Sequence, residues 1–134
     1  MSAEAMYAEI IMDYYRNPKN YGKMEHPDAQ SKDVNISCGD EVEIHMAIGK
    51  GKIRDILFSG KGCAISLAAT SMLTEAVRGK DINEAIVLKK EDVLALLSIP
   101  VSPMRLKCAL LGLKVFKMAA YQFLGKLNEE EQHG

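Results

Sequence analysis

Residues 53–77 read IRDILFSGKGCAISLAATSMLTEAV, and this stretch passes from the pattern of a strand to the pattern of a helix. Ile53 to Phe58 is a short apolar run of the kind found in strands. Ile65 to Val77 carries apolar residues at helical spacing. Between the two runs, Gly60-Lys61-Gly62 provides the backbone freedom for a sharp turn. The stretch therefore places Cys63 at the point where a strand ends and a helix begins.

The segment before this stretch alternates between apolar and polar residues, which is typical of a half-buried strand. Its apolar positions are Val42, Ile44, Met46 and Ile48, and Glu43, His45 and Ala47 lie between them. Gly49 to Gly51 predicts the turn of a hairpin. Val34 to Ile36 is predicted to add a third strand, after a loop over residues 23–32. The alternation predicts that His45 lies on the polar, solvated face.

Apolar spacing and capping residues predict helices both before and after the strands along the chain. The predicted helical segments are residues 2–16, the segment 65–77, two short pieces that open at Asp81 and Glu91, and a long helix from Ser102-Pro103 to about Leu124. Residues 128–134 are charged and are predicted to form a flexible tail. The sequence thus predicts an α+β fold, with a small three-stranded antiparallel sheet packed against about five helices, in one domain over residues 1–134.

The composition argues against several classes of function. A formal net charge of −1 provides no basic surface for nucleic acid, and no polybasic segment suggests a membrane surface. No apolar run approaches the about 20 residues of a membrane span. We expect no secretory signal. The odd number of cysteines, three, is typical of a reducing compartment rather than of a disulfide framework, so we expect a cytoplasmic protein.

The three cysteines lie in segments that favour presentation of a side chain. Glycines flank Cys38 and Cys63 and allow close approach of a bulky partner, and Cys108 follows Arg105 and Lys107. Cations and helix N-termini favour the thiolate, the form that binds metal or attacks sulfur. The alternative is three buried structural thiols, because free cysteine is often a small core residue. No local Cys-x-x-Cys pair exists, so a metal site would have to be assembled by folding.

Asp40 adds a fourth candidate ligand, and it also suits a turn after Gly39. A carboxylate is a poorer ligand than a thiolate for soft metals. Three thiolates with one carboxylate should therefore hold a metal less permanently than four thiolates would. This chemistry suits a carrier that releases what it binds, whereas a stable electron-transfer centre more commonly uses four cysteines.

The motifs, taken in order, resemble the U-type iron–sulfur cluster assembly scaffolds, the family of IscU, SufU and the N-terminal domain of NifU. The resemblance covers nearly the whole chain. It rests on Tyr7–Tyr15 with Asn17–Asn20, on Cys38–Asp40, on Phe58–Ser66 and on Arg105–Ala109. The resemblance implies the fold of that family, and a scaffold or carrier protein rather than an enzyme.

The resemblance also implies a cargo and partners. A cysteine desulfurase would pass sulfur to the chain, a [2Fe–2S] or a [4Fe–4S] cluster would form, and acceptor apoproteins would receive it. By motif position, Cys38, Cys63 and Cys108 would bind the cluster, and Asp40 would keep it labile. Cys108 would also accept the persulfide sulfur. A homodimer around a shared cluster is a further arrangement that the residues leave open.

Two positions depart from the pattern of IscU. IscU proteins carry histidine immediately before the third cysteine, whereas this chain has Lys107 and resembles SufU proteins at this point. The insertion that SufU proteins carry between the second and third cysteines is missing here. The likeness to SufU predicts an alternative function, a zinc-bound sulfur acceptor that stimulates a desulfurase. In addition, Val101–Arg105 differs from the chaperone-binding segment of IscU, so the resemblance does not predict handover by an Hsp70-type chaperone.

The identity of the fourth ligand stays open between Asp40 and a deprotonated Lys107. We favour Asp40, because a protonated lysine has no lone pair for a metal. Lys107 is then a modulator that pairs with Asp40 when the site is empty. A thiol enzyme is a third class of function, but it needs a positioned base, and none of the three histidines lies near a cysteine in the sequence.

Overall fold

A computed structural model describes the backbone of residues 3–133 and the side chains of residues 5–125; residues 1, 2 and 134 lie outside it. Its elements, in chain order, are α1 (Ala3–Arg16), β1 (Ala29–Asn35), β2 (Asp40–Gly49), β3 (Lys52–Lys61), α2 (Ala64–Val77), α3 (Ile82–Ala85), α4 (Lys90–Leu97) and α5 (Leu106–His133). A 3-10 turn over Pro103–Arg105 leads into α5. The predicted α+β architecture is confirmed. No helix in this part of the chain is long and apolar enough to span a membrane.

The sheet is antiparallel in the order β1-β2-β3. Asn35 at the end of β1 pairs with Asp40 at the start of β2, and Glu41 pairs with Lys61 at the end of β3. These three strand ends therefore meet at one edge of the sheet. Because the turn with Cys38 follows β1 and Cys63 follows β3, the register brings the two cysteine-bearing segments to the same edge.

The first strand is longer than the sequence predicted. We expected a loop over residues 23–32 and a strand at Val34–Ile36, whereas β1 begins at Ala29 and ends at Asn35. Ile36 lies outside the strand and is 91% exposed. An edge strand is stabilised by backbone pairing on one side, here with β2 from Ala29 opposite Met46 onward. Its side chains can therefore stay polar, which removes the hydrophobic signal on which the prediction depended.

His45 is buried, at 6% exposure, and the prediction of a solvated side chain is wrong. The segment between α1 and β1 crosses this face of the sheet. It pairs with the edge of β3 through Gly22 and with β2 through Asp28. On the way, the Met24 N–H donates to His45 Nδ1 at 3.0 Å. The alternation of β2 is real, but a loop covers the face that alternation assigned to solvent.

Helices α2 and α5 pack on the other face of the sheet and hold most of the core. Apolar side chains of β2 and β3 on that face are fully buried, among them Val42, Ile44, Met46, Ile56 and Phe58. The two helices approach closely where Gly112 of α5 meets Thr70 of α2, since a Cβ atom at position 112 would collide with the Thr70 side chain. A glycine is therefore required for this helix spacing.

The last helix extends beyond its predicted end at Leu124 and continues to His133. The side chains of residues 126–134 lie outside the described part of the chain. The flexibility of the tail over 128–134 and the single domain over 1–134 remain predictions. At its other end, α5 follows the predicted start at Ser102-Pro103 closely, and Cys108 lies in its first turn.

Candidate metal centre

Cys38 lies in the turn between β1 and β2 and is exposed. The turn closes through the Asn35 carbonyl, which accepts the N–H of Cys38 at 3.2 Å and the N–H of Gly39 at 2.9 Å. Gly39 has φ of +72°, a left-handed conformation that glycine adopts without a steric penalty. The turn thus directs the backbone so that Cys38 reaches the edge of the sheet where the strand ends meet.

Asp40 begins β2 and is almost fully buried, at 1% exposure. One carboxylate oxygen, Oδ1, accepts the Cys63 N–H at 2.9 Å. The other oxygen, Oδ2, is buried without a hydrogen-bond partner. A Cβ atom at position 62 would collide with this carboxylate, so Gly62 is what allows the side chain to lie against the backbone before Cys63. Asp40 is therefore anchored through one oxygen and offers the other to a cation.

Cys63 is the N-cap residue of α2, as the strand-to-helix pattern predicted, and it is half-buried. Its Sγ accepts the Ser66 N–H at 3.4 Å, in the way that a serine oxygen would cap a helix. The N-terminus of a helix favours negative charge, so this position suits a ligand of a metal or of an anionic cluster.

Cys108 is fully buried, at 0% exposure, in the first turn of α5. Burial raises the pKa of this thiol, and the neighbouring Asp40, Cys38 and Cys63 raise it further. Both observations differ from the prediction, which took the flanking Arg105 and Lys107 as signs of a presented, readily ionised cysteine. The Arg105 and Lys107 side chains are exposed, whereas the packing of α5 against the sheet buries Cys108.

The fold brings three candidate ligands together. One ligand atom each from Cys38, Asp40 and Cys108 lies within 4.8 Å of the other two. In tetrahedral zinc sites the sulfurs lie about 2.3 Å from the metal, hence about 3.8 Å from one another. Only a small closure would therefore bring these three ligand atoms to the spacing of such a site. The Cys63 sulfur is not part of this close set, but its backbone N–H holds the Asp40 carboxylate.

The orphaned oxygen of Asp40 supports a fit between these residues and a metal. A buried carboxylate oxygen without a partner costs free energy unless a cation or a donor arrives. Three sulfurs and one oxygen match the donor set of a four-coordinate zinc ion or of the iron atoms of a cluster. The residues present are therefore chemically suited to either group.

Lys107 does not pair with Asp40. Its side chain is exposed, and among the described residues it makes no ion pair. It lines an open groove with Val34, Ile36 and Leu110, beside the Lys114 that pairs with Asp33 at 2.7 Å. The prediction that Lys107 binds Asp40 in the empty site is not met by this geometry, and its role as a modulator stays a prediction.

Two polar residues near the sulfurs were missed from the sequence. Asn35 places its Nδ2 3.9 Å from the Cys108 sulfur. Ser66 is fully buried in the first turn of α2, and its hydroxyl has no partner. The pairing of Asn35 with Asp40 would have indicated the first, had the true extent of β1 been known. The position of Ser66, three residues after the cap, would have indicated the second.

Comparison with known proteins assigns the chain to a family. Residues 6–130 match the NifU-like N terminal domain. The chain belongs to this family, and the resemblance that the motifs predicted is confirmed.

Among its relatives is the zinc-dependent sulfurtransferase SufU of Bacillus subtilis, 33% identical over 85% of this chain and 88% of that protein. Another is the iron-sulfur cluster assembly scaffold protein IscU 1 of Archaeoglobus fulgidus, 32% identical over 96% of this chain and 86% of that protein. The names of the relatives thus include both a scaffold and a sulfurtransferase.

Solved structures show the same fold. A putative iron-sulfur cluster assembly scaffold for the SUF system from Fervidobacterium islandicum superposes with a TM-score of 0.75 at 32% identity, over 89% of this chain and 99% of that one. The N-terminal part of a NifU-like protein from Brucella abortus gives 0.78 at 19% identity, over 92% and 97% respectively, and supports the fold alone. The predicted family architecture is therefore confirmed.

Proposed function

We propose that this protein is a scaffold on which an iron–sulfur cluster is built and from which the cluster passes to acceptor apoproteins. The observation that carries the proposal is the buried Asp40 carboxylate, held by the Cys63 N–H and free at Oδ2, next to the sulfurs of Cys38 and Cys108. The family and the scaffold relatives support it. Cys38, Asp40, Cys63 and Cys108 would hold the cargo, a [2Fe–2S] cluster in the simplest case and a [4Fe–4S] cluster otherwise.

The weak ligand explains how cargo can leave. An oxygen ligand among three sulfurs binds iron less tightly than a fourth thiolate would. Asp40 stays anchored when Oδ2 releases the metal, since Oδ1 keeps its bond to the Cys63 N–H. Release at Asp40 therefore leaves only Oδ2 without a partner, and the carboxylate stays in place to bind again.

Sulfur would arrive from a cysteine desulfurase as a persulfide. Cys108 would lose its thiol proton to solvent, and its sulfur would then attack the outer sulfur of the donor persulfide and form a new S–S bond. The S–S bond of the donor breaks, and the donor cysteine leaves as a thiolate, so no external oxidant or reductant is needed. Since Cys108 is fully buried, the site must open for this attack, and the exposed turn with Cys38 lies next to the Cys108 sulfur.

A zinc-bound sulfur acceptor is the second candidate function. It is favoured by the close set of Cys38, Asp40 and Cys108, whose dimensions suit a single tetrahedral ion, and by the relative named as a zinc-dependent sulfurtransferase. Zinc binding would ionise Cys108 in spite of its burial, because metal ligation stabilises the thiolate. In this function Cys108 leaves zinc to take sulfur, and whether the protein counts as a scaffold or as an enzyme depends on this choice.

Partners would meet the site at two exposed apolar side chains. Ile36 is 91% exposed two residues before Cys38, and Met104 is 86% exposed four residues before Cys108. Exposed apolar residues beside a reactive site are typical of protein contact surfaces. We assign them to docking of the desulfurase or of acceptor proteins, and a second copy of this chain around a shared cluster is the other occupant to test. A cytoplasmic location is part of the same proposal, since all three thiols are free.

The test is the content of iron, acid-labile sulfide and zinc in protein purified without oxygen, before and after reconstitution with iron and sulfide. Iron and sulfide in comparable amounts, with a visible chromophore that Cys38→Ser abolishes, are expected of the scaffold. Tight zinc without any chromophore after reconstitution would favour the sulfur acceptor instead. Binding of neither metal would contradict both functions.

The assignment of Cys108 as the sulfur acceptor has its own test. The protein is incubated with a cysteine desulfurase and cysteine, and the persulfide is located by alkylation and mass spectrometry. Cys108→Ser should remove the labelled site, whereas Cys38→Ser should leave it. Persulfide on Cys38 in the Cys108→Ser variant, at the level of the unmodified protein, would contradict the assignment.

A further inference from the structure

Two buried polar side-chain atoms in the described part of the chain have no hydrogen-bond partner, and both lie near the sulfurs. One is Asp40 Oδ2, the proposed metal ligand, and the other is the hydroxyl of Ser66. A buried hydroxyl without a partner is destabilising, because it gives up its hydrogen bonds to water and gains none in return. Nearly all buried polar groups have a partner, so the Ser66 hydroxyl is a candidate donor to an acceptor that forms at the site.

The packing of α2 and α5 brings the helical turn that carries Ser66 toward the turn that carries Cys108. Both helices begin at the same edge of the sheet, α2 after Cys63 and α5 just before Cys108. Deeper in the core, Thr70 meets Gly112 at the close approach of the two helices. One helical turn back on each helix, toward the edge, the residues are Ser66 and Cys108. Ser66 and Cys108 therefore occupy corresponding turns of two helices that approach each other closely one turn further on.

Ser66 is also fixed from the side of Cys63. Its own N–H donates to the Cys63 sulfur at 3.4 Å, which fixes the backbone of Ser66 beside that sulfur. The Ser66 carbonyl accepts the Thr70 hydroxyl at 2.8 Å, which fixes the backbone of this turn. What remains free is the Ser66 hydroxyl hydrogen, on the helical turn that follows Cys63.

From this geometry we infer that the Ser66 hydroxyl donates a hydrogen bond to the Cys108 sulfur once that sulfur is deprotonated on a metal. A protonated thiol is a weak acceptor, whereas a metal-bound thiolate is negatively charged and a strong one. Ser66 is thus a positioning residue. Its hydroxyl stabilises the metal-loaded site and has no hydrogen-bond partner in the metal-free protein. The inference rests on the proposed function, because it needs a metal in the site.

The consequence is a pair of effects with opposite signs. Removing the hydroxyl removes an unpaired polar group from the empty protein, so Ser66→Ala should leave the free energy of unfolding unchanged or raise it. The same change removes a hydrogen bond from the loaded site, and loss of such a partner behind a metal ligand typically lowers metal affinity by about 10–100-fold. A serine with a merely structural role would instead lose stability and keep its affinity.

Ser71 provides a matched control. It is also a fully buried serine of α2, but its Oγ accepts the Lys19 N–H at 2.7 Å, away from the sulfurs. Ser71→Ala should therefore lower the stability of the empty protein and leave metal affinity unchanged. The two variants carry the same atom change in the same helix and should show opposite patterns.

The experiment uses zinc alone, with affinity measured by competition against a chelator, and urea unfolding of the metal-free protein. Cobalt(II) then reports on the sulfurs, because loss of a hydrogen bond to a thiolate should shift its sulfur-to-metal charge-transfer band to lower energy in Ser66→Ala but not in Ser71→Ala. At least tenfold weaker zinc binding with undiminished apo stability supports the inference. Wild-type affinity in Ser66→Ala, or an unshifted cobalt band, overturns it while leaving the metal site intact. Failure of the wild-type protein to bind any metal overturns the proposed function as well.

Discussion

Substitution of Gly112 by alanine tests the contact that sets the distance between the two helices carrying Cys63 and Cys108. A Cβ atom at position 112 would collide with the side chain of Thr70, so α2 and α5 must separate or Thr70 must turn away from its bond to the Ser66 carbonyl. Overpacking of this kind costs about 1–3 kcal/mol. The new methyl group also raises helix propensity, which offsets about 0.5–1 kcal/mol of that cost.

Gly125→Ala separates the two contributions. Gly125 lies in the same helix, is exposed, and would bring its Cβ within 4 Å of nothing. Gly125→Ala should gain the higher helix propensity of alanine without any steric clash. The difference in unfolding free energy between the two variants therefore isolates the collision, and we expect Gly112→Ala to be the less stable by about 1–3 kcal/mol.

The assay is equilibrium urea unfolding of the metal-free protein, followed by zinc competition on the same samples. Because Gly112 lies one turn below Cys108, separation of the helices should also weaken zinc binding, whereas Gly125→Ala should bind as the wild type does. Equal stability of the two alanine variants would refute the close approach of α2 and α5. It would also remove the geometric basis for placing Ser66 beside Cys108.

Three further predictions follow from the structure. Asp40→Ala should slow the loss of visible absorbance from reconstituted protein, because it removes the weak ligand that invites exchange; faster decay than in the wild type would contradict this role. His45→Ala should lower the free energy of unfolding by about 1–3 kcal/mol, since it leaves the partly buried N–H of Met24 without its acceptor. His26→Ala in an exposed loop should be neutral in the same urea titration. Hydrogen bonds from Lys114 and from the Val34 backbone N–H lower the pKa of Asp33. The ionised Asp33 therefore stabilises the fold at pH values above the ordinary carboxyl pKa of about 3.9. This stabilisation is lost as the pH falls through the lowered pKa. The stability difference between wild type and Asp33→Asn should therefore be present at neutral pH and shrink in acid, and a difference that is constant with pH would argue against the pair.

The sequence predicted those parts of the fold in which a buried face leaves a periodic pattern. Helix α2, the hairpin of β2 and β3 and the start of α5 all have apolar residues at regular spacing, because each packs one face on the core. Strand β1 has no such pattern, since most of its stabilisation comes from backbone pairing with β2 at the edge of the sheet. The burial of His45 could not be predicted either, because it depends on a loop that contributes backbone contacts rather than apolar side chains.

The candidate ligands were predicted from their residue types, but their environments were not. Motif order predicted Cys38, Asp40, Cys63 and Cys108 as ligands. The register of the sheet brings the segments of the first three to one edge, and Cys108 of α5 lies near Cys38 and Asp40 there. Neighbours in sequence gave a misleading view of Cys108, because the cations beside it point outward while the residue itself packs inward. Burial is decided by contacts between distant segments, and local sequence carries little information about such contacts.

The bond between the Asp40 carboxylate and the Cys63 N–H gives this site a reporter that needs no metal signal. The amide hydrogen of Cys63 is held by a side chain, whereas helix amides deeper in α2 are held by backbone carbonyls. Its exchange with solvent deuterium is therefore controlled by departures of one carboxylate. The exchange rate of this one amide, measured by NMR relative to amides further along α2, would report how often the Asp40 carboxylate leaves the Cys63 N–H. The same signal could be followed in the metal-free protein and during transfer of the cargo.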